Sequence, residues 1–287
     1  MRQTILYTCA WLALLLAGAF VPTHAQSVLD GAYVKETNLT KRVIPYPYLR
    51  EADVMYKRRI WQDIDLRQKF NHPFYFPLTP IQDRKNLFDV IMNAIEVEGS
   101  IVPYYAGPLG EQDEFQEKML PGSPKWKNAV GTMNYVAQTD EYGERTGDFD
   151  STWVRVTAQE VTRYRIKEEW IWDKQRSERY VRIIGIAPLK EKYKDGVSIG
   201  YQPLFWLYYP ECRYVFANSE VYNMFNDAQR RTYEDLFQKR YFSSYIVKQD
   251  NSFDRLIVDY ALGTDALAES ERIQRELFNL EHDMWHY

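Results

Sequence analysis

The stretch RYRIKEEWIWDKQRSERYVRIIGIAP (163–188) decides the fold. Its first ten residues alternate. Tyr164, Ile166, Trp170 and Trp172 fall on one side and Arg163, Arg165, Lys167 and Glu169 on the other, with Glu168 interrupting the apolar side. A period of two is the mark of a strand with one face buried and one face polar. The run DKQRS (173–177) is polar and turn-like, and RYVRIIGIAP (179–188) is a second strand, apolar on both faces near Ile183–Ile186. Together they predict an antiparallel hairpin.

Downstream, PLFWLYY (203–209) reads as a short buried strand, and Pro210 opens a helix running through Phe216. Tyr233 to Phe242 has helical spacing, and YIVK (245–248) is a further strand. A last helix starts near Asp265, with Ile273, Leu277, Leu280 and Met284 as its apolar stripe.

Upstream, Tyr56, Ile60 and Ile64 recur every four residues with Trp61 beside them. This predicts a helix over 51–70, stopped by Asn71-His72-Pro73. Thr79-Pro80-Ile81-Gln82 fits a capping box with proline at the first helical position. Leu87, Phe88, Ile91, Ala94 and Ile95 make the apolar face behind it, ended by Gly99. Residues 100–150 are rich in Gly, Pro, Asp and Glu and predict loops and short helices. Within them GERTGDFD (143–150) lacks the carboxylate spacing of a calcium loop and reads as a solvated turn. Strands and helices in this order predict an α+β fold, an antiparallel sheet with packed helices, over a single domain of residues 51–287.

Two segments precede that domain. Residues 1–25 have the layout of a secretory signal: Arg2, an apolar run from Ile5 to Phe20, then Pro22 and Thr23-His24-Ala25. The run is short for a membrane span, and Cys9 does not stand at its end as a lipoprotein signal requires. Residues 26–50 read as an extended arm. In VIPYPYLR (43–50) each proline removes a donor and pushes its predecessor to extended geometry, leaving Ile44, Tyr46 and Tyr48 to pack on something.

The formal net charge of −4 excludes a nucleic-acid binder read by charge. After signal removal Cys212 is the only thiol, so no internal disulfide is available. With 45% hydrophobic residues the chain can build a core instead, and 16% aromatics, including 23 tyrosines, suggest extensive protein contact or sugar binding. The sequence holds no phosphate-cradling glycine loop, no dinucleotide-binding glycine turn and no H-E-x-x-H helix. Cys212, among aromatics, reads as a structural thiol. Glu168 and Glu169, neighbours on a strand, point to opposite faces and cannot flank one bond. His282 and His286 share a helix face, but at 100° per residue it lies about 200° from Leu280 and Met284. They read as solvent- or partner-facing, with no metal and no cofactor, whereas Met284, Trp285 and Tyr287 form an apolar end that must pack somewhere.

Four strings carry a resemblance to a known family. DNSFDRLIVDYALGTDALAESERI (250–273), FNLEHDMWHY (278–287), VIPYPYLREADVMYKRRIWQDIDLRQKFN (43–71) and RIKEEWIWDKQRSERYVRIIGIAP (165–188) strongly resemble the GldN/PorN family of the type IX secretion system. The resemblance implies a non-enzymatic periplasmic subunit that forms a ring with an outer-membrane lipoprotein, GldK or PorK. It also implies contact with the periplasmic shaft GldM or PorM of a proton-driven motor, and a part in protein export and gliding motility. Partners would be those two proteins and copies of the chain itself, with neither nucleic acid nor direct membrane insertion. The aromatic surplus keeps open a periplasmic carbohydrate- or peptidoglycan-binding module, and scattered carboxylates a hydrolase.

Overall fold

A computed structural model describes residues 41–81, 84–108, 110–139, 145–194, 196–223, 226 and 228–283. The expected signal (1–25), the first part of the arm (26–40) and the C-terminal Met284, Trp285, His286 and Tyr287 lie outside the described residues.

The fold is α+β. Its centre is a mixed-length antiparallel sheet of strands β1 (Val54–Asp65), β2 (Pro103–Tyr104), β5 (Val161–Asp173), β6 (Glu178–Lys194), β7 (Val197–Pro203), β8 (Trp206–Tyr208) and β11 (Tyr245–Gln249). The order is β11-β1-β5-β6-β8-β2, with β7 pairing the outer part of β6. The 163–188 hairpin is its heart: β5 and β6 pair from Asp173–Glu178 at the turn to Val161–Lys190. A bulge falls where Lys167 meets Gly185 and Glu168 meets Ile183. The extra residue moves the odd-numbered Ile183 onto the same buried side as Ile186, which explains why the sequence reads apolar on both faces there.

Residues 51–70 are not a helix. A short 3-10 turn (Glu51–Asp53) leads into β1, which pairs β5 along Val54–Asp65 and β11 at Ile60–Asp63. Spacing of four is also a multiple of two, so Tyr56, Ile60 and Ile64 line one strand face as readily as one helix face. Trp61 then falls on the opposite face. There it is buried with Tyr104, Ala106, Ala187 and Trp206.

The helices α1 (His72–Tyr75), α2 (Leu87–Glu96), α4 (Tyr209–Ala217), α5 (Tyr233–Gln238) and α6 (Thr264–Asp283) gather on the side of Ile64, Tyr164 and Ile166. Helix α2 buries the expected face of Leu87, Phe88, Ile91, Ala94 and Ile95, but Thr79 does not start it. Asn86 is the cap, its Oδ1 accepting the Asp89 amide at 2.7 Å while its Nδ2 donates to Pro77 O at 2.9 Å. Between Thr79 and Leu87 the one large apolar side chain is Ile81, which is exposed, so a helix begun there would have had almost no apolar face to bury. Ile81 and Arg84 instead exchange backbone hydrogen bonds in a tight reversal.

The 100–150 region departs further from expectation. It contains the expected short helix, α3 (Pro124–Val130), capped by Ser123. It also contains a two-stranded sheet of β3 (Gly131–Thr139) and β4 (Arg145–Arg155), which among the described residues pairs with no strand of the main sheet. Arg145–Asp150 of the turn-like string thus lie in β4. A second small pair is β9 (Glu220–Val221) with β10 (Arg231–Thr232).

The outer edge of β11 is covered rather than open. Helix α6 lies against it, burying Ile273 and Leu277 beside Ile60, Trp172 and Ile246. The Ile246 amide donates to the buried Ser270 hydroxyl at 3.0 Å. A strand edge left with free donors invites pairing with other chains, and a helix hydroxyl supplied to the donor prevents it. Ser270→Ala leaves that amide without an acceptor and is expected to cost about 1–3 kcal/mol. A shift of the urea unfolding midpoint checks this, and an unchanged midpoint at unchanged slope would refute it.

The other face of the sheet is charged, as the alternation required. Arg165 holds Asp63 through two hydrogen bonds of 2.7 and 3.0 Å, both side chains being almost fully buried. Lys167 reaches Asp113 at 3.1 Å and the Trp61 ring at 5.3 Å. Burial pulls the Lys167 ammonium below its ordinary pKa and Asp113 offsets part of the fall. The segment 104–118 folds over this face because Gly185 lets it approach: a Cβ there would stand 2.5 Å from the Phe115 ring.

Candidate functional site

The strongest candidate is a surface rather than a cleft with reacting groups. Residues 41–50 run extended over the edges of α4, α5 and β6. Lys41 fixes the start, its amide donating to Asn218 Oδ1 at 3.1 Å and its ammonium to Thr232 Oγ1 at 3.1 Å and Asp235 Oδ2 at 2.5 Å. Burial raises the Asp235 carboxyl. Lys41 and the hydroxyl and amide of Thr232 more than reverse this, so its pKa lies below the ordinary value. Further along, Arg213 donates to Ile44 O at 2.8 Å and Arg182 to Pro47 O at 2.6 Å. Between them the Tyr46 ring faces both guanidiniums, at 4.2 Å from Arg213 and 5.4 Å from Arg182. Burial pushes the Tyr46 phenol pKa up, with Arg213 partly opposing. Each cation–ring contact of this half-buried kind contributes about 1 kcal/mol.

Proline at 45 and 47 keeps the backbone extended, so neighbours alternate in direction. Tyr46 turns inward to its own chain. Ile44 and Tyr48 turn outward, with 78% and 83% of their surface exposed. The three arm residues singled out in the sequence therefore divide into one anchor and two free apolar side chains. Met284, Trp285 and Tyr287, the other partner-binding candidates, lie outside the described residues.

The seat beneath the arm was not legible in the sequence. Its base is the buried pair Arg213–Glu234, 2.7 Å apart, with Glu234 also accepting the Tyr209 hydroxyl at 2.8 Å. Beside it lies Glu168, the carboxylate that broke the alternation of β5. It is fully buried and accepts from Arg240 at 2.7 and 3.3 Å, Gln62 at 3.3 Å and Trp170 Nε1 at 3.0 Å. Glu169 lies on the opposite face with Lys57 and Arg59. The alternation did locate Glu168; its partners come from residues 62 and 240, far away in sequence.

The other chemistry-bearing residues are placed as follows. Cys212 is buried in α4, its thiol donating to Tyr208 O, and burial pushes its pKa far up. His282 is exposed on the last turn of α6 beside Asp283. Among the described residues no group of three or more His, Cys, Asp or Glu side chains is placed to hold a metal. The expectation that the chain holds no G-x-S-x-G nucleophile elbow is wrong as a statement of sequence, since GVSIG (196–200) has that spacing. An elbow needs a strand-to-helix turn. Ser198 instead sits within strand β7, exposed, and donates to Glu191.

Residues 49–286 match the family model described as "Gliding motility associated protein GldN". The chain belongs to the GldN family. That family is one of gliding-motility components and not a known enzyme family, and membership makes the chain a component of gliding motility and type IX secretion. No curated protein matches the chain. The GldN match covers the whole sheet and α6 but starts at Leu49, so Ile44, Tyr46 and Tyr48 precede it. Among the described residues no helix is long and apolar enough to cross a membrane.

Proposed function

We propose that this GldN-family chain is a non-enzymatic structural subunit of the type IX secretion system, exported to the periplasm and assembled in a ring. In this reading it joins a GldK/PorK-type lipoprotein at the inner face of the outer membrane, meets a GldM/PorM-type shaft and packs against copies of itself. The observation that carries the reading is the arm. Its own chain holds the backbone at both ends, yet Ile44 and Tyr48 remain exposed. Large apolar side chains on a prearranged extended strip lose little freedom on binding, which favours docking onto a neighbouring polypeptide. A ring closes through two different patches per subunit, and the arm supplies one of them.

The aromatic surplus supports this reading less than it first suggests. Trp172, Trp206, Tyr164, Tyr209 and Tyr233 are fully buried in the core, so they are taken up by folding. The same burial weakens a carbohydrate-binding reading, which needs those rings at the surface.

Size-exclusion chromatography of the chain co-expressed with its lipoprotein partner tests the proposal. The expected result is a very large species. Deletion of residues 26–50 is expected to abolish that species while the remaining chain keeps a cooperative unfolding transition, since β1 begins only at Val54. Assembly that survives the deletion removes the arm from the account, and a small species from the intact pair removes the ring.

A further inference from the structure

Between the arm and the sheet lies a cavity of about 380 Å³ walled by Tyr46, Arg179, Arg182, Tyr209, Phe237 and Arg240. Arg179, Arg182 and Arg240 line it and Arg213 stands behind the Tyr46 ring, four guanidiniums on two rings. Arg213 and Arg182 face Tyr46. Arg179 and Arg240 face Trp170, at 4.8 and 5.8 Å. Three carboxylates answer them. Glu234 is taken by Arg213 and Tyr209, Glu168 by Arg240, Gln62 and Trp170, and Glu281 by Arg179. Arg182 has no carboxylate among the described residues. Its Nη2 has only the neutral carbonyl of Pro47, and its Nε is buried without an acceptor.

We infer that this cavity is a binding site for a carboxylate on an apolar stem, the side chain of a glutamate or aspartate presented by a partner polypeptide. Three features set the chemistry. The surplus is donors, because the local carboxylates are already engaged, so the ligand must accept hydrogen bonds. The imbalance is a single positive charge, four guanidiniums against three carboxylates, which suits a monoanion better than a phosphate carrying nearly two charges. Tyr209 and Phe237 offer apolar wall beside the donors, which suits the methylenes of a glutamate. Arm residues Tyr46 and Pro47 line the cavity, so occupancy and arm docking share one guanidinium, Arg182. This site goes beyond the ring reading and stands on its own test.

The experiment uses the full mature chain with arginine side chains labelled with nitrogen-15. N-acetyl-glutamate α-amide is titrated in, with N-acetyl-glutamine amide as the neutral twin and inorganic phosphate as the dianion. The expected result is a saturable shift of the Arg182 Nε–H signal with the glutamate probe and none with the glutamine twin. R182Q is expected to weaken glutamate binding about tenfold or more, the loss of one charge-assisted contact. Should R182Q fail to fold, R182K keeps the charge without the planar fork, and binding by it is expected to fall between the two. An equal response to the neutral twin, tighter binding of phosphate than of the carboxylate, unchanged binding in the variant, or no saturable shift would each overturn the assignment.

Discussion

Arg240→Met is expected to destabilise the folded chain by about 3 kcal/mol, at the lower end of what breaking a buried ion pair costs. Glu168 is fully buried, and Arg240 is its only ion-pair partner among the described residues. Without it, a carboxylate stays in the core with only the Gln62 amide and the Trp170 indole as donors. Arg240 is about a third exposed, so water partly replaces it and the upper end of the range is not reached. Methionine keeps the alkyl stem and the left-handed backbone at φ 54°. The measured loss is therefore that of the charge and its hydrogen bonds. Glu168→Gln combined with Arg240→Met is expected to recover most of the stability, because no ion is then left unpaired. Urea unfolding of the single and double variants decides. A single-variant loss below about 1 kcal/mol would mean that the pair behaves as a surface pair.

Phe237→Ala is expected to cost about 3–5 kcal/mol. Phe237 lies on the inward face of α5, 2% exposed, with its ring 5.3 Å from Phe74, 5.5 Å from Tyr209, 5.7 Å from Phe216 and 6.0 Å from Phe242. Truncation removes the hub on which four rings converge and leaves a cavity that such stiff neighbours fill poorly. Helix α5 also carries Asp235, which holds Lys41, so loosening it frees the start of the arm. Faster tryptic cleavage after Arg42 should accompany the lower unfolding midpoint. Loss of stability without faster cleavage would separate the arm from the core, and a midpoint unchanged within error would refute the packing argument.

What the sequence made legible follows from which faces are buried. The β5–β6 hairpin was readable because one face packs on helices and the other carries paired charges, so burial wrote a period of two into the residues. The apolar face of α2 and the stripe of α6 were readable for the same reason, at a period of 3.6. Strand β1 was misread because both of its faces are covered. The Trp61 side is buried too, which breaks the alternation and leaves a spacing that fits either period. Among the described residues the β3–β4 pair joins no larger sheet, so no second layer imposed a pattern on it. The seat of the arm could not be read at all. It is assembled from Arg182, Arg213, Glu234 and Tyr209, whose contacts are set by the fold and not by spacing along the chain.

The path from the arm into β1 has a mechanical consequence. The chain enters the strand after one 3-10 turn, and that strand is hydrogen-bonded on both sides, to β5 over its length and to β11 over Ile60–Asp63. Tension applied at the arm would therefore act along the ladders, as shear spread over many bonds at once, instead of peeling an outer strand open bond by bond. A tether anchored in this way loads an inner strand, one place in from the β11 margin, and not the margin itself.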